Sequence, residues 1–311
     1  QAALGTEQYV APSAGPLYPG SAAQARGLDE DEIFEIIARF AHVATVSRDC
    51  GFTGVQVHGA HGYLVSQFLN PLVNHRSDSW GGSLENRARF LLEMVRAVRR
   101  AVGTDFPISV KLNSSDFQKG GMVEDESIQV VRWLEECGID LLEISGGTYE
   151  SQVMLGRDND APRSASTIAR EAYFLEFASR IRPETSVPLM LTGGFRTPGS
   201  MQAALASGEI DLIGLARPLI TDPGLCGRLL AEEPVFADRP DETIQIDEAQ
   251  RQSMSAAELR VLEIVAGTSY YYNRMFQLSD GIDAPFDFDW MRSLDDLNQR
   301  SEAGRQDYLN A

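Results

Sequence analysis

The sequence has little cysteine. Three occur in 311 residues, Cys50, Cys137 and Cys226, with no CxxC spacing and in odd number. A disulfide framework is therefore excluded, and free buried thiols in a reducing, cytoplasmic setting are expected. No run of about 18 apolar residues is present, which argues against a membrane span. The opening QAALGTEQYV has no basic segment leading into an apolar core, so it does not read as a signal peptide. Basic residues are in deficit, 27 against 45 acidic, for a formal net charge of −18. Such a surface repels phosphate backbones, which speaks against a nucleic-acid partner, and any anionic ligand has to be held by local contacts. No GxGxxG lies between a strand and a helix, so no dinucleotide-binding domain is recognisable.

What is present is an ordinary globular composition, 43% hydrophobic and 23% charged. Residues 1–29 are rich in Ala, Gly and Pro, without a period, and read as loop. Ile33, Ile36, Ile37, Phe40 and Ala41 recur at helical spacing and predict a helix over Glu30–Asp49. From there short apolar strands alternate with amphipathic helices. Strands are expected at Val55–His58, Ile108–Asn113, Leu141–Ser145, Pro188–Thr192 and Leu212–Leu215. Helices are expected at Leu84–Val102, Glu124–Cys137, Arg170–Arg182 and Pro198–Ala206. Nearly all-apolar strands in this alternation predict a parallel sheet covered on one or both faces. No strong strand candidate precedes residue 50. From about Arg239 the character changes: Ala256–Gln277 reads as a helix, and Asp280–Asp296 is acidic and aromatic with little periodicity. The expected organisation is a main unit over 1–238 and a helical appendage over 239–311.

Three features bear on chemistry. In His58-Gly59-Ala60-His61-Gly62-Tyr63 the two imidazoles would diverge along a continuing strand. They converge if the chain turns after His58, which the small residues between them allow. Two imidazoles and a phenol at one mouth can polarise a carbonyl oxygen and donate a proton. The bland alternative is a satisfied loop histidine. A zinc hydrolase is a further alternative, but no third ligand stands at a supporting spacing. The second feature is Lys111 inside the strand Ile108–Asn113. A buried ammonium needs an anion, supplied either by a ligand or by Glu143 one strand later. The third is a pair of loops, Leu191-Thr192-Gly193-Gly194-Phe195-Arg196 and Ile213-Gly214-Leu215-Ala216-Arg217-Pro218. Glycines let backbone N–H groups approach a ligand and arginine forks onto phosphate; tight turns explain any one glycine, but two such loops in the last two units, each with an arginine, favour a phosphate site.

The run HGAHGYLVSQFLNPLVNHRSDSWGGSLENRARF, followed in order by VKLNSSDFQKGG, LEISGGTYE, REAYFLEFA, LTGGFRT and IGLARPLITDP, closely resembles the Old Yellow Enzyme family of FMN-dependent ene-reductases over about residues 10–235. The resemblance implies a TIM (β/α)₈ barrel with FMN at the C-terminal mouth of its strands and NAD(P)H as electron donor. It implies hydride transfer to an activated, enone-type C=C bond, and is compatible with a homo-oligomer. His58 and His61 match the pair that binds the substrate's oxygen, and Tyr63 matches the proton donor. Lys111 stands where an arginine usually lies beside the flavin N1/O2 edge. Gly193, Gly194, Gly214, Ala216 and Arg217 match the phosphate cradle, with Ala216 replacing a common glycine.

Relatives begin with three strand–helix units that have no visible counterpart here, Gln1 resembling a position just after the third strand. About five of the eight units of a barrel are therefore expected. At roughly 30 residues per unit, about 90–110 residues of the family pattern are absent. The expectation is a truncated chain, or the ordered part of a longer one, with Val55–His58 and Leu212–Leu215 as open edges. The competing reading is a non-catalytic or partner-dependent barrel fragment.

Overall fold

The structure, a computed structural model, describes residues 9–16, 23–146, 175–193, 195–233, 246, 248–283 and 289–310. They fall into two compact units, one within Gln8–Gly194 and Met201–Gly214, the other within Phe195–Ser200 and Leu215–Ala311.

The first unit is built on a five-stranded parallel sheet. Its strands are β4 (Val55–Gly59), β5 (Ile108–Asn113), β6 (Leu141–Ser145), β7 (Leu189–Thr192) and β8 (Leu212–Gly214), hydrogen-bonded in chain order. Each matches a sequence expectation to within a residue. β4 and β8 are the edges of this sheet among the described residues, as anticipated, and the sheet does not close on itself. Helices α1 (Glu30–Asp49), α3 (Leu84–Val102) and α4 (Glu124–Glu136) precede or connect the strands. The short helix α2 (Leu64–Leu69) follows β4.

Local chemistry explains the helix ends. Asp29 caps α1 by accepting from the Glu32 backbone N–H, while the Glu32 carboxylate accepts from the Asp29 N–H. This reciprocal box satisfies two of the donors a helix start leaves unpaired. Ser83 caps α3, and Gly103 ends it in a left-handed turn at φ 82°. Phe90, Leu91, Met94, Val95 and Val98 recur at helical spacing along α3 and are fully buried. Val98 and Val102 pack with Ala44 of α1, Phe106 and Ile108.

The sheet is two-faced. Val57, Gly59, Ile108, Val110, Leu112, Leu142, Ile144, Leu189 and Leu191 point to one side and are buried. Gln56, His58, Ser109, Lys111, Asn113, Glu143, Ser145 and Thr192 alternate to the other. The expectation of nearly all-apolar strands is thus corrected: the strands alternate, and the second face mixes these polar residues with Leu141, Met190 and Leu212 and is partly exposed.

Three further expectations are corrected. Residues 1–29 are not all loop, because β1 (Tyr9–Ala11), β2 (Gly15–Pro16) and β3 (Gln24–Gly27) form a separate small sheet. Its pairings are two to three residues long, too short for a periodicity signal. Arg76 ties this sheet to the loop after α2, donating to the carbonyls of Pro12 and Leu28. The thiols are free, but only Cys137 is buried; Cys50 and Cys226 are exposed at helix ends. The Asp280–Asp296 stretch, read as aperiodic, runs into α11 (Trp290–Asn310).

The predicted helix Arg170–Arg182 is seen over residues 175–181, here α5; its beginning lies outside the described residues. So does the expected boundary at residue 238. α6 (Pro198–Ala206) lies between β7 and β8 in sequence. The second unit carries α7 (Arg217–Thr221), α8 (Leu225–Leu230), α9 (Glu248–Ser253), α10 (Ala256–Ser279) and α11. α10 and α11 pack together, with buried Asn273 donating from its Nδ2 to the Ser293 carbonyl at 2.6 Å. Among the described residues no helix is long and apolar enough to cross a membrane.

Candidate functional site

The site begins where β4 ends. After Gly59 the chain turns: His61 adopts φ 64° and Gly62 φ 77°. A left-handed histidine is uncommon, and such backbone persists where surrounding bonds over-determine it. Here the His61 N–H donates to Asn113 Oδ1 at 3.2 Å, and its ring Nε2 lies 2.6 Å from Ser145 Oγ. The turn brings together what the strand would have separated. The His58 and His61 rings meet edge-to-face with centroids 5.2 Å apart. The Tyr63 ring lies 4.9 Å from that of His58. Tyr63 then heads α2 with 45% of its surface exposed.

Electrostatics keep both imidazoles neutral near pH 7. Burial lowers the pKa of His58, and the Lys111 charge lowers it further. Burial, then Lys111, then His58 push His61 down to about 4. The buried Nδ1 of His58 has no hydrogen-bond partner among the described residues. Such an orphan is costly unless a ligand or water meets it. The pair therefore offers neutral ring nitrogens to an incoming polar atom, with an exposed phenol alongside.

Lys111 lies beside His58 in register, and Glu143 beside Lys111. Lys111 Nζ donates to Glu143 Oε1 at 2.8 Å, so of the two anions considered for it the internal carboxylate is present. Burial pushes the Glu143 pKa up, but the Lys111 charge and bonds from Lys111, Thr192 and Gln56 outweigh it, and the net shift is downward.

The glycine loops separate on inspection. Gly193 has φ 127° with open space where a Cβ would stand. A left-handed, unobstructed backbone of this kind suits close ligand approach. Gly214 is different: a Cβ there would overlap Thr192 Oγ1 and lie 2.8 Å from Thr192 Cβ. Packing between adjacent strands explains that glycine without a ligand. Gly194 lies outside the described residues. In the second unit, exposed Ala216 precedes α7, and the Arg217 guanidinium lies 5.9 Å from the Tyr271 ring centroid.

Sequence reasoning did not single out Asn113, Ser145, Gln56 or Thr192. The available signal was alternation: each is the polar member of a polar–apolar pattern whose other members are His58, Lys111 and Glu143.

The profile of the NADH:flavin oxidoreductase / NADH oxidase family matches residues 6–234. The NADH-dependent flavin oxidoreductase iliE of Neonectria sp. is 36% identical over 229 residues, covering 69% of this chain and 30% of that protein. The NADH-dependent flavin oxidoreductase iccE of Talaromyces variabilis is 36% identical over 226 residues, covering 69% and 55%. The chain thus spans about a third to about half the length of these relatives. Among solved structures, the old yellow enzyme homologue of Zymomonas mobilis superposes with a TM-score of 0.59 at 28% identity, over 78% of this chain and 66% of that one. A 2-naphthoyl-CoA reductase superposes with a TM-score of 0.65 at 31% identity, over 74% and 34%. The five-stranded parallel sheet is accordingly part of an α/β barrel of the TIM type, and the chain belongs to the NADH:flavin oxidoreductase / NADH oxidase family.

Proposed function

We propose that this chain carries the substrate site of an FMN-dependent ene-reductase, with the His58–His61–Tyr63 cluster binding and protonating an electron-poor alkene. The observation that carries the reading is that cluster: two neutral imidazoles and an exposed phenol, with ring centroids 4.9–5.2 Å from His58, at the C-terminal end of a parallel strand. Ligands of open α/β sheets and barrels bind at that end.

The residues present suit the cofactor. The polar sheet face carries a cation in Lys111 and an orphaned ring nitrogen in His58, and just past the end of β7 stands an unobstructed left-handed glycine, Gly193. Lys111 would face the ring, and Gly193, Gly194, Arg217 and the backbone of Gly214, a residue whose missing Cβ packing already requires, would serve the phosphate, with Ala216 at the cradle position of a common glycine. Bound FMN supplies the hydride chemistry, with NAD(P)H as donor and the alkene as acceptor.

This chain's residues supply the rest. His58 and His61 donate ring N–H groups to the substrate oxygen on which charge develops. The Tyr63 hydroxyl protonates the α-carbon, and its exposure lets solvent return that proton. Residues 1–238 form the flavin-binding part, and 239–311 an appended helical part.

Tyr63→Phe tests the assignment by rapid mixing. Reoxidation of reduced flavin by an enone should slow by roughly 10²-fold or more, while reduction by NAD(P)H is unchanged. Equal rates in both half-reactions would leave Tyr63 a purely structural residue. The second reading, a partner-dependent barrel fragment, draws on the two edges that are unpaired among the described residues, where Leu212 is 41% exposed. The absorbance of the purified chain after incubation with FMN and gel filtration separates the two readings: retained flavin is yellow.

A further inference from the structure

Lys111 occupies the middle of an in-register row, His58–Lys111–Glu143, on the polar face of three adjacent strands. Its partner is more deeply placed than it is: side-chain exposure is 6% for Glu143 and 19% for Lys111. Gln56 on β4 and Thr192 on β7 also favour the charged form of Glu143. Polar groups on β4, β5 and β7 therefore bear on its carboxylate, and β5 and β7 flank its own strand. A carboxylate this deeply buried is fixed in place, and it fixes the ammonium bonded to it at 2.8 Å. Neighbouring strands are about 4.8 Å apart, so the pair's field reaches the histidines on β4 through little water.

We propose that Glu143 is a positioning residue of this site: it holds the ammonium of Lys111 in the row beside His58 and offsets its charge, so that the two histidines meet a paired rather than a bare cation. The inference rests on the reading of His58 and His61 as the oxygen-binding pair. Among the described residues, the charged or titratable groups bearing on His58 are Lys111, Glu143, His61 and Tyr63. Lys111 and Glu143 act on the imidazoles with opposite sign. Losing either charge leaves the other uncompensated.

The test is histidine titration by NMR on the full chain without cofactor. The chain has four histidines, His42, His58, His61 and His75, assignable by single substitution. Lys111→Met should raise the His58 and His61 midpoints by roughly one pH unit, and Glu143→Gln should lower them by a similar amount. The double variant, from which both charges are gone, should return close to wild type. Lys111→Arg, which keeps the cation, should leave the midpoints near wild type. A structural role alone would weaken folding in both single variants without opposite shifts. Midpoints that stay still, or move the same way in both variants, overturn the proposal. If Glu143→Gln does not fold, Glu143→Asp draws the carboxylate back by one methylene and should lower the midpoints less.

A second readout follows on the FMN-loaded protein: the flavin reduction potential should fall in Lys111→Met and rise in Glu143→Gln. Failure of the titration removes this inference alone. Failure of wild type to retain FMN removes the functional reading and leaves the titration result standing.

Discussion

Replacing Gly214 by alanine separates packing from ligand binding. The new Cβ would overlap Thr192 Oγ1 and stand 2.8 Å from Thr192 Cβ and 3.2 Å from its Cα. Two of the three atoms belong to a β-branched side chain with little rotamer freedom, and the third is backbone of the paired strand, so the clash cannot be relieved at a flexible tip. Overpacking of this kind costs about 1–3 kcal/mol, and the short β7–β8 pairing argues for the upper half of that range. In urea the first unit's unfolding midpoint should drop by about 1 M. Thr192→Ala removes the Oγ1 overlap but leaves the backbone of residue 192 where it crowds the new methyl group. Gly214→Ala should therefore cost about 1 kcal/mol less in the Thr192→Ala background than in wild type, a coupling well within what double-mutant cycles resolve. Gly193→Ala is the contrasting case: its Cβ side is open, so its cost comes from the left-handed backbone, about 1–2 kcal/mol, without coupling to Thr192. A Gly214→Ala protein as stable as wild type that has lost FMN would refute the packing argument and make Gly214 a ligand glycine.

Three further outcomes are expected. Arg217→Ala should raise the dissociation constant for FMN, because a charge-assisted bond to phosphate is worth roughly 1.5–3 kcal/mol; a titration with unchanged affinity removes Arg217 from the cradle. His61 is held near 4 in the folded chain against an ordinary 6.5. Its contribution to stability is therefore fully present above pH 6.5 and is lost as pH falls from 6.5 toward 4. His61→Asn should flatten that part of the stability–pH curve, and an identical curve would show that His61 is not buried as described. Arg87 is 4% exposed and holds the loop after α2 through bonds to Leu69 O, to Gly82 O at 3.2 Å and to Glu126 at 2.5 Å. Arg87→Met should cost about 3–5 kcal/mol in chemical unfolding, as when one partner of a buried ion pair is removed; a loss under about 1 kcal/mol would mean that water replaces these bonds.

The amino-acid sequence by itself determined the order and bounds of the main elements, because each of those segments carries a local period and its own stop signals. The 20-residue α1 is bounded by the Asp29–Glu32 box, and the 19-residue α3 by Ser83 and Gly103. The small β1–β3 sheet escaped because three-residue pairings carry no period. The long order of motifs from HGAHGY to IGLARPL sufficed for the family, since a motif order is a property of the chain. Tertiary structure decided three things. The histidines converge because His61 itself takes the left-handed turn, at a cost compensated by Asn113 and Ser145 from two other strands. Lys111 meets Glu143 because parallel register, which pairs residues 32 apart, sets them side by side. Gly214 is glycine for the sake of Thr192 on the neighbouring strand, because the two strands approach too closely there for a Cβ. In each case the deciding atom lies on another strand, and side-chain contacts between strands do not show in the local pattern of either one.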